Sequence, residues 1–207
     1  MAHDQIASGL AKIGLFLRSE AWRQAAPAGL TPTQAQILVH LVGRGPARVG
    51  ALAAEIAVTQ PTASDAVAAL VRKGLVARRA DPADGRAAML HATPAGRDVT
   101  AETAQWPDAL LAAADGLDVD ERAVLLKALM KMIRTLQLRG AIPAQRMCAS
   151  CSYFRPYEHA DADRPHHCAF VDAAFGTADL RLDCGDHVEA DVEDGRGTWS
   201  RFAAAPA

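Results

Sequence analysis

Along the first two thirds of the chain, apolar residues recur every three or four positions, the spacing that gives a helix one apolar stripe. Ile6, Leu10, Ile13 and Leu17 form the first stripe. It needs a partner, inside its own subunit or outside it. Trp22 to Gly29, which includes Pro27, interrupts the pattern. Thr31, Pro32, Thr33 and Gln34 then read as a capping box with proline at the first helical position. Ile37, Leu38, Leu41 and Val42 are the predicted buried side of that helix, and Gly43 to Pro46 ends it. Val49 to Ile56 predicts a short third helix that turns Leu52, Ala53 and Ile56 inward. Thr59 is the N-cap of a fourth, with Pro61 in its first turn, where a missing N–H has no helical partner to lose. Ala63, Val67, Leu70 and Val71 are its predicted core face, and Gly74 is its stop.

The pattern then changes. Leu75, Val76 and Ala77 begin a strand; Asp81, Pro82, Ala83, Asp84 and Gly85 are turn residues; and Ala87 to His91 returns as the second strand of a hairpin. Thr93 and Pro94 open another helix, expected to run past Thr103 toward Ala113 with a kink at Pro107. Asp118 and Glu121 form a capping box for a long final helix carrying Leu125, Leu129, Met132, Ile133 and Leu136 and ending near Gly140. The predicted class is mainly α with a small β-hairpin: a helix-turn-helix with a hairpin wing, followed by dimerisation helices and a small C-terminal cysteine-rich module.

The fourth helix is short or polar on its outer face, with Gln60, Ser64, Asp65 and Ala68, and the hairpin beside it is edged with arginines. A helix of that kind enters a major groove, and a hairpin arginine reaches the adjacent minor groove. A formal net charge of −2 does not announce a nucleic-acid binder. Its distribution is more informative. Arg44, Arg48, Arg72, Lys73, Arg78, Arg79, Arg86 and Arg97 crowd this half, whereas Asp and Glu dominate the segment beyond Glu158.

In these residues the chain resembles the MarR family of winged-helix transcription regulators. The resemblance rests on Leu30 to Gln34, Leu52 to Ile56, Thr59 to Thr62, Leu70 to Arg79, Asp81 to Arg86, and Thr93 to Arg97, and runs from the start of the chain to about Gly140. It implies a homodimer on a near-palindromic operator, with the first helix paired to the last long helix across the dimer, and a small aromatic effector in many members. Gln60, Thr62, Ser64 and Asp65 are expected to face the major groove. Arg86, oriented by Asp84, is expected in the minor groove, and Arg72, Lys73, Arg78 and Arg79 on phosphates. Asp65 departs from the family, which often has a basic residue there; a carboxylate repels phosphate but accepts from a cytosine amino group.

Beyond a linker from Ala141 to Arg146, all four cysteines fall in one segment: Cys148, Cys151, Cys168 and Cys184. Two thiolates three positions apart can turn toward one ion, and two later ones complete a four-sulfur set that would stabilise a segment poor in large apolar residues. The segment is similar to the cluster-binding part of high-potential iron–sulfur proteins: Cys-x-x-Cys followed by aromatics and then two separate cysteines, although the Gly-Trp before the last cysteine is missing. That resemblance implies an iron–sulfur cluster, of the 4Fe–4S type; zinc is the alternative, and so are ordinary thiols with a redox pair at Cys148 and Cys151. His166, His167 and His187 are either substitute ligands or exposed polar residues.

The expected layout is residues 1–140 for DNA binding and dimerisation, 141–190 for metal, and 191–207 as a disordered tail. The function expected is a cytoplasmic DNA-binding regulator, a repressor, tuned by the cluster or metal. The alternatives are the same regulator with structural zinc and an aromatic ligand, or a redox or electron-transfer protein. No catalytic constellation is readable, so no enzyme is expected. No stretch reaches the roughly 20 apolar residues of a membrane span.

Overall fold

The computed structural model describes residues 2–81, 84–103 and 108–204, leaving the side chains at 85, 86, 102 and 103 outside that description. Two compact units divide the chain, Met1–Leu111 and Ala112–Ala207. The division falls well before Gly140, because the long final helix packs with the cysteine segment. No helix among the described residues is long and apolar enough to cross a membrane.

In the first unit, α1 (Ala2–Ala25) is followed by a 3₁₀ turn and α2 (Pro32–Gly43). Thr31 and Gln34 form the predicted capping box, each side chain accepting from the other's backbone N–H at 3.3 Å. Then come α3 (Val49–Glu55) and α4 (Gln60–Arg72). One core joins them: Leu30, Ile37, Leu38, Leu41, Leu52, Ala66, Val67 and Leu70, closed from below by Leu75, Val76 and Leu90. Two inner-face assignments shift. Val42 and Val71 are exposed, and Ala66 is buried where Val71 was expected. Ala66 lies between Ala63 and Leu70 on the inward arc, so a small residue completes that face and the larger valine falls at its edge. Ile6 and Ile13 of the α1 stripe are 56% and 47% exposed.

The hairpin is antiparallel, β1 (Val76–Asp81) against β2 (Asp84–Ala92), and its strands run closer to the turn than the sequence suggested. Pro82 and Ala83 lie outside the described residues. Ala47 exchanges both backbone hydrogen bonds with Leu90, which fixes the hairpin base to the loop before α3. Gly74 takes a φ of 71°, as a left-handed helix stop requires. Thr93 caps α5 (Pro94–Thr103), accepting from Gly96 N–H at 3.0 Å. A Cβ on Gly96 would meet the Leu75 carbonyl oxygen at 2.2 Å, so only glycine lets α5 lie this close to the chain entering β1. α5 is described as far as Thr103 and α6 (Asp108–Asp115) from Asp108, and the expected kink at Pro107 lies outside the described residues.

The second unit begins its core with α7 (Val119–Leu138), whose capping box joins Asp118 and Glu121. The face predicted as its apolar stripe is largely outward: Leu125, Met132 and Leu136 are 46%, 38% and 42% exposed. A different face, with Lys127 and Met130 buried, packs inward. The cysteine segment folds as a three-stranded antiparallel sheet, β3 (Phe154–Arg155), β4 (His166–Cys168) and β5 (Ala173–Phe175), in that spatial order. The tail expected to be disordered is largely helix: α8 (Val192–Ala204) returns to bury Phe202 completely against Met130, Met147 and Phe154. Asp191 accepts from the N–H groups of Glu193 and Asp194, capping the helix start. Burial of a side chain the size of Phe202 stabilises by ~1.5–3 kcal/mol, one of the contributions that dock this helix.

Candidate nucleic-acid interface and cysteine cavity

The outer surface of the first unit is built by α4 and the hairpin. Thr59 accepts from the N–H of Thr62, and their hydroxyls lie 2.8 Å apart, which holds the first turn rigid. Gln60, Thr62 and Asp65 are exposed and Ser64 is half-buried, so all four lie on the side away from the core. Arg72, Arg78 and Arg79 are exposed as well. Consecutive strand residues point to opposite faces, so Arg78 and Arg79 project from opposite sides of the hairpin.

Two expected site residues are engaged elsewhere. Lys73 reaches back to donate to the Gly29 carbonyl and, at 3.2 Å, to the Gln34 side chain, tying the end of α4 to the start of α2. The carboxylate of Asp84 lies 3.9 Å from the guanidinium of Arg48. Arg48, read from the sequence as one of the basic residues crowding this half, has a specific partner: its Nε donates to Asp81 at 2.7 Å and a terminal nitrogen to the same oxygen at 2.6 Å. It thereby clamps both ends of the hairpin turn from the start of α3. The backbone of Arg86 lies in β2; its side chain, and hence its orientation by Asp84, is outside the described part. Arg44 pairs with Glu55 and so braces α2 against α3.

In the second unit, one cavity of about 160 Å³ has all four cysteines in its wall: Cys148, Cys151, Cys168 and Cys184. Tyr153, Phe154, Phe170 and Phe175 share the lining. Cys148 and Cys151 sit at the two ends of a tight 3₁₀ turn, in which the N–H of Cys151 donates to the Cys148 carbonyl at 2.9 Å. Cys168 ends β4, opposite Phe154. Cys184 is held by its N–H to the Arg146 carbonyl, beside the Arg146–Asp183 ion pair. The backbone N–H of Arg181 donates to Cys148 Sγ at 3.3 Å. Burial pushes the Cys148 thiol up to about 11; the Arg181 N–H works against this, and the other three cysteines add to it. Among the described residues, no group of three or more His, Cys, Asp or Glu could hold a metal ion.

No histidine lines this cavity. His166 is fully buried, not surface-exposed: Tyr157 N–H donates to its Nδ1, which leaves Nε2–H for the Thr177 hydroxyl, each at 3.3 Å. Burial, with the Lys127 charge adding, lowers its pKa to about 4, so it stays neutral as a structural strut. Phe154, Tyr157, Phe175 and Phe202 surround it. His187 bonds Ser150 at 3.0 Å, and His167 lies 3.4 Å from Asp172.

Residues 28–87 match the MarR family. A probable transcriptional regulator from Pseudomonas aeruginosa is 30% identical, at a TM-score of 0.52, over 64% of this chain and 99% of its own. A mutant MarR from E. coli, complexed with operator DNA, shares the fold at 20% identity and a TM-score of 0.54, over 62% of this chain and 93% of its own. BpsR of Bordetella bronchiseptica, whose DNA binding is regulated by 6-hydroxynicotinic acid, is 23% identical at a TM-score of 0.52, over 61% of this chain and 91% of its own. No curated protein matches the chain.

Proposed function

The chain belongs to the MarR family, and from that premise we propose that it is a homodimeric repressor of transcription whose cysteine-bearing unit tunes its grip on duplex DNA. The observation that carries the reading is the pairing of an exposed polar first turn on α4 with a hairpin clamped at its turn and edged by exposed arginines. The operator complex of the related MarR supports double-stranded DNA as the ligand. Gln60, Thr62, Ser64 and Asp65 read base edges in the major groove; Arg72, Arg78 and Arg79 offer phosphate contacts; Arg86 enters the minor groove. Lys73 and Asp84 serve indirectly, by holding α4 and the hairpin turn in place.

The exposed stripes on α1 and on α7 are the faces a second copy covers, and a twofold dimer sets two recognition helices about one DNA turn apart. The inner face of α7 rests on Met147, Phe154 and Phe202, which form one core with Cys151. A cofactor bound by the cysteines therefore acts on the dimer through α7, to the extent that it favours one seating of that helix over another. A small aromatic effector is the second reading, supported by the regulation of BpsR.

Replacing Arg86 with alanine tests the assignment. Operator affinity is expected to fall, and the slope of log affinity against log salt to decrease by about one. Unchanged affinity and slope, measured by fluorescence anisotropy on the same duplex, would remove Arg86 from the interface.

A further inference from the structure

We propose that the cysteine cavity holds a four-iron, four-sulfide cluster, bound through Cys148, Cys151, Cys168 and Cys184, and is not a zinc site. The inference deepens the reading of the second unit as the regulated half of the protein and rests on that reading for its biological role. Its chemistry stands on the geometry of the unit alone.

A single zinc ion draws four sulfurs to about 2.3 Å from one centre, so a zinc site is a closed knot of side chains with no space inside. Here the four cysteines stand in the wall of a cavity of about 160 Å³. That is many times the roughly 10–15 Å³ that admits one water molecule. The sulfurs come from three separate places, the 3₁₀ turn, the end of β4 and the loop at Cys184, and no three of them converge on an ion-sized point among the described residues. A cubane cluster has the matching demands: four thiolates spread around a body larger than an ion, one to each iron.

Two further features fit a cluster. The Arg181 N–H donates to Cys148 Sγ, and hydrogen bonds to ligand sulfurs are among the ways a protein tunes a cluster's potential. Phe154, which is buried, and the half-buried Tyr153 and Phe175 wall the same space, and solvent exposure also sets a cluster's potential. Tyr153 and Phe170 pack ring against ring at 5.3 Å across this rim. The acidic pair Asp179 and Asp186 and the cation of Arg181 complete the edge of the cavity.

The test uses the full chain, purified anaerobically and divided into two portions. One is reconstituted with ferrous iron and sulfide, the other with ferrous iron and sulfide in the presence of equimolar zinc. The expected result is about four irons and about four acid-labile sulfides per chain, a brown protein with visible sulfur-to-iron absorption, and no stoichiometric zinc retained in competition. C168S and C184S are each expected to lower bound iron and to abolish the visible spectrum, with far-UV circular dichroism confirming that the chain remains folded. If either variant unfolds, the metal count and spectrum of the unaltered chain still decide. About one zinc per chain in a colourless protein, about two irons per chain, or no bound metal would each overturn the proposal. Anisotropy on duplex DNA, run on the same samples, keeps this outcome apart from the regulator reading: a cluster-free chain that binds duplex DNA overturns the cluster alone.

Discussion

Arg48 shows how one residue can set the site without belonging to its contact surface. It stands just before α3 and binds the carboxylate of Asp81, which is only 8% exposed, and it lies near Asp84 across the hairpin turn. Removing it leaves a buried carboxylate short of its cationic partner. We expect Arg48→Ala to lower stability by about 1–2 kcal/mol, toward the low end because Arg48 itself is half exposed and solvent screens the pair. Amide exchange in β1 and β2 should accelerate selectively, since the clamp acts there. Uniform exchange rates across the first unit would show that Arg48 does not hold the hairpin. Lys73 makes the complementary point. Its position after α4 reads as a phosphate contact, yet its amine is turned to Gly29 and Gln34, contacts set by a loop some forty positions earlier in the chain.

At the scale of elements, α8 is the clearest structural claim that composition concealed. Phe202→Ala should cost the second unit ~3–5 kcal/mol, as deletion of a fully buried aromatic does. The readout is denaturant unfolding followed by the fluorescence of Trp199, which packs beside Phe202. A midpoint unchanged by the substitution would show the helix to be undocked in solution. The legibility of each element follows from the range of the forces that make it. The caps at Thr31, Thr59 and Asp118 were readable because a cap is decided within three residues. The hairpin was readable because its turn residues lie together, although the strand ends fell closer to the turn than expected. The tail was not. Asp191 to Ala204 is acidic and rich in small residues, and only the distant Met130, Met147 and Phe154 give Phe202 somewhere to go. α7 carries two apolar faces: periodicity marks the outer one, which is the face expected to join two subunits, while the inner one is chosen by the distant cysteine segment. The cysteines themselves were legible as a set, but the space between them, on which the choice of cofactor turns, exists only once β3, β4 and the Cys184 loop are folded.

For the whole molecule, the account is of a groove-reading unit joined in sequence to a unit that carries the chemistry of sulfur. Exposed apolar residues recur at helical spacing on α1, at Ile6 and Ile13, and on α7, at Leu125, Met132 and Leu136. An exposed apolar stripe along a helix is a candidate interaction face. In the proposed dimer, a second copy supplies both the cover and the twofold symmetry that duplex recognition uses. The most direct measurement is selection of binding sites from a pool of random duplex DNA by the full-length protein in dilute salt. The account predicts an enriched near-palindrome whose half-sites are centred about one helical turn apart, roughly 10–10.5 base pairs. Retention of no duplex, or enrichment of a single half-site without symmetry, would contradict it.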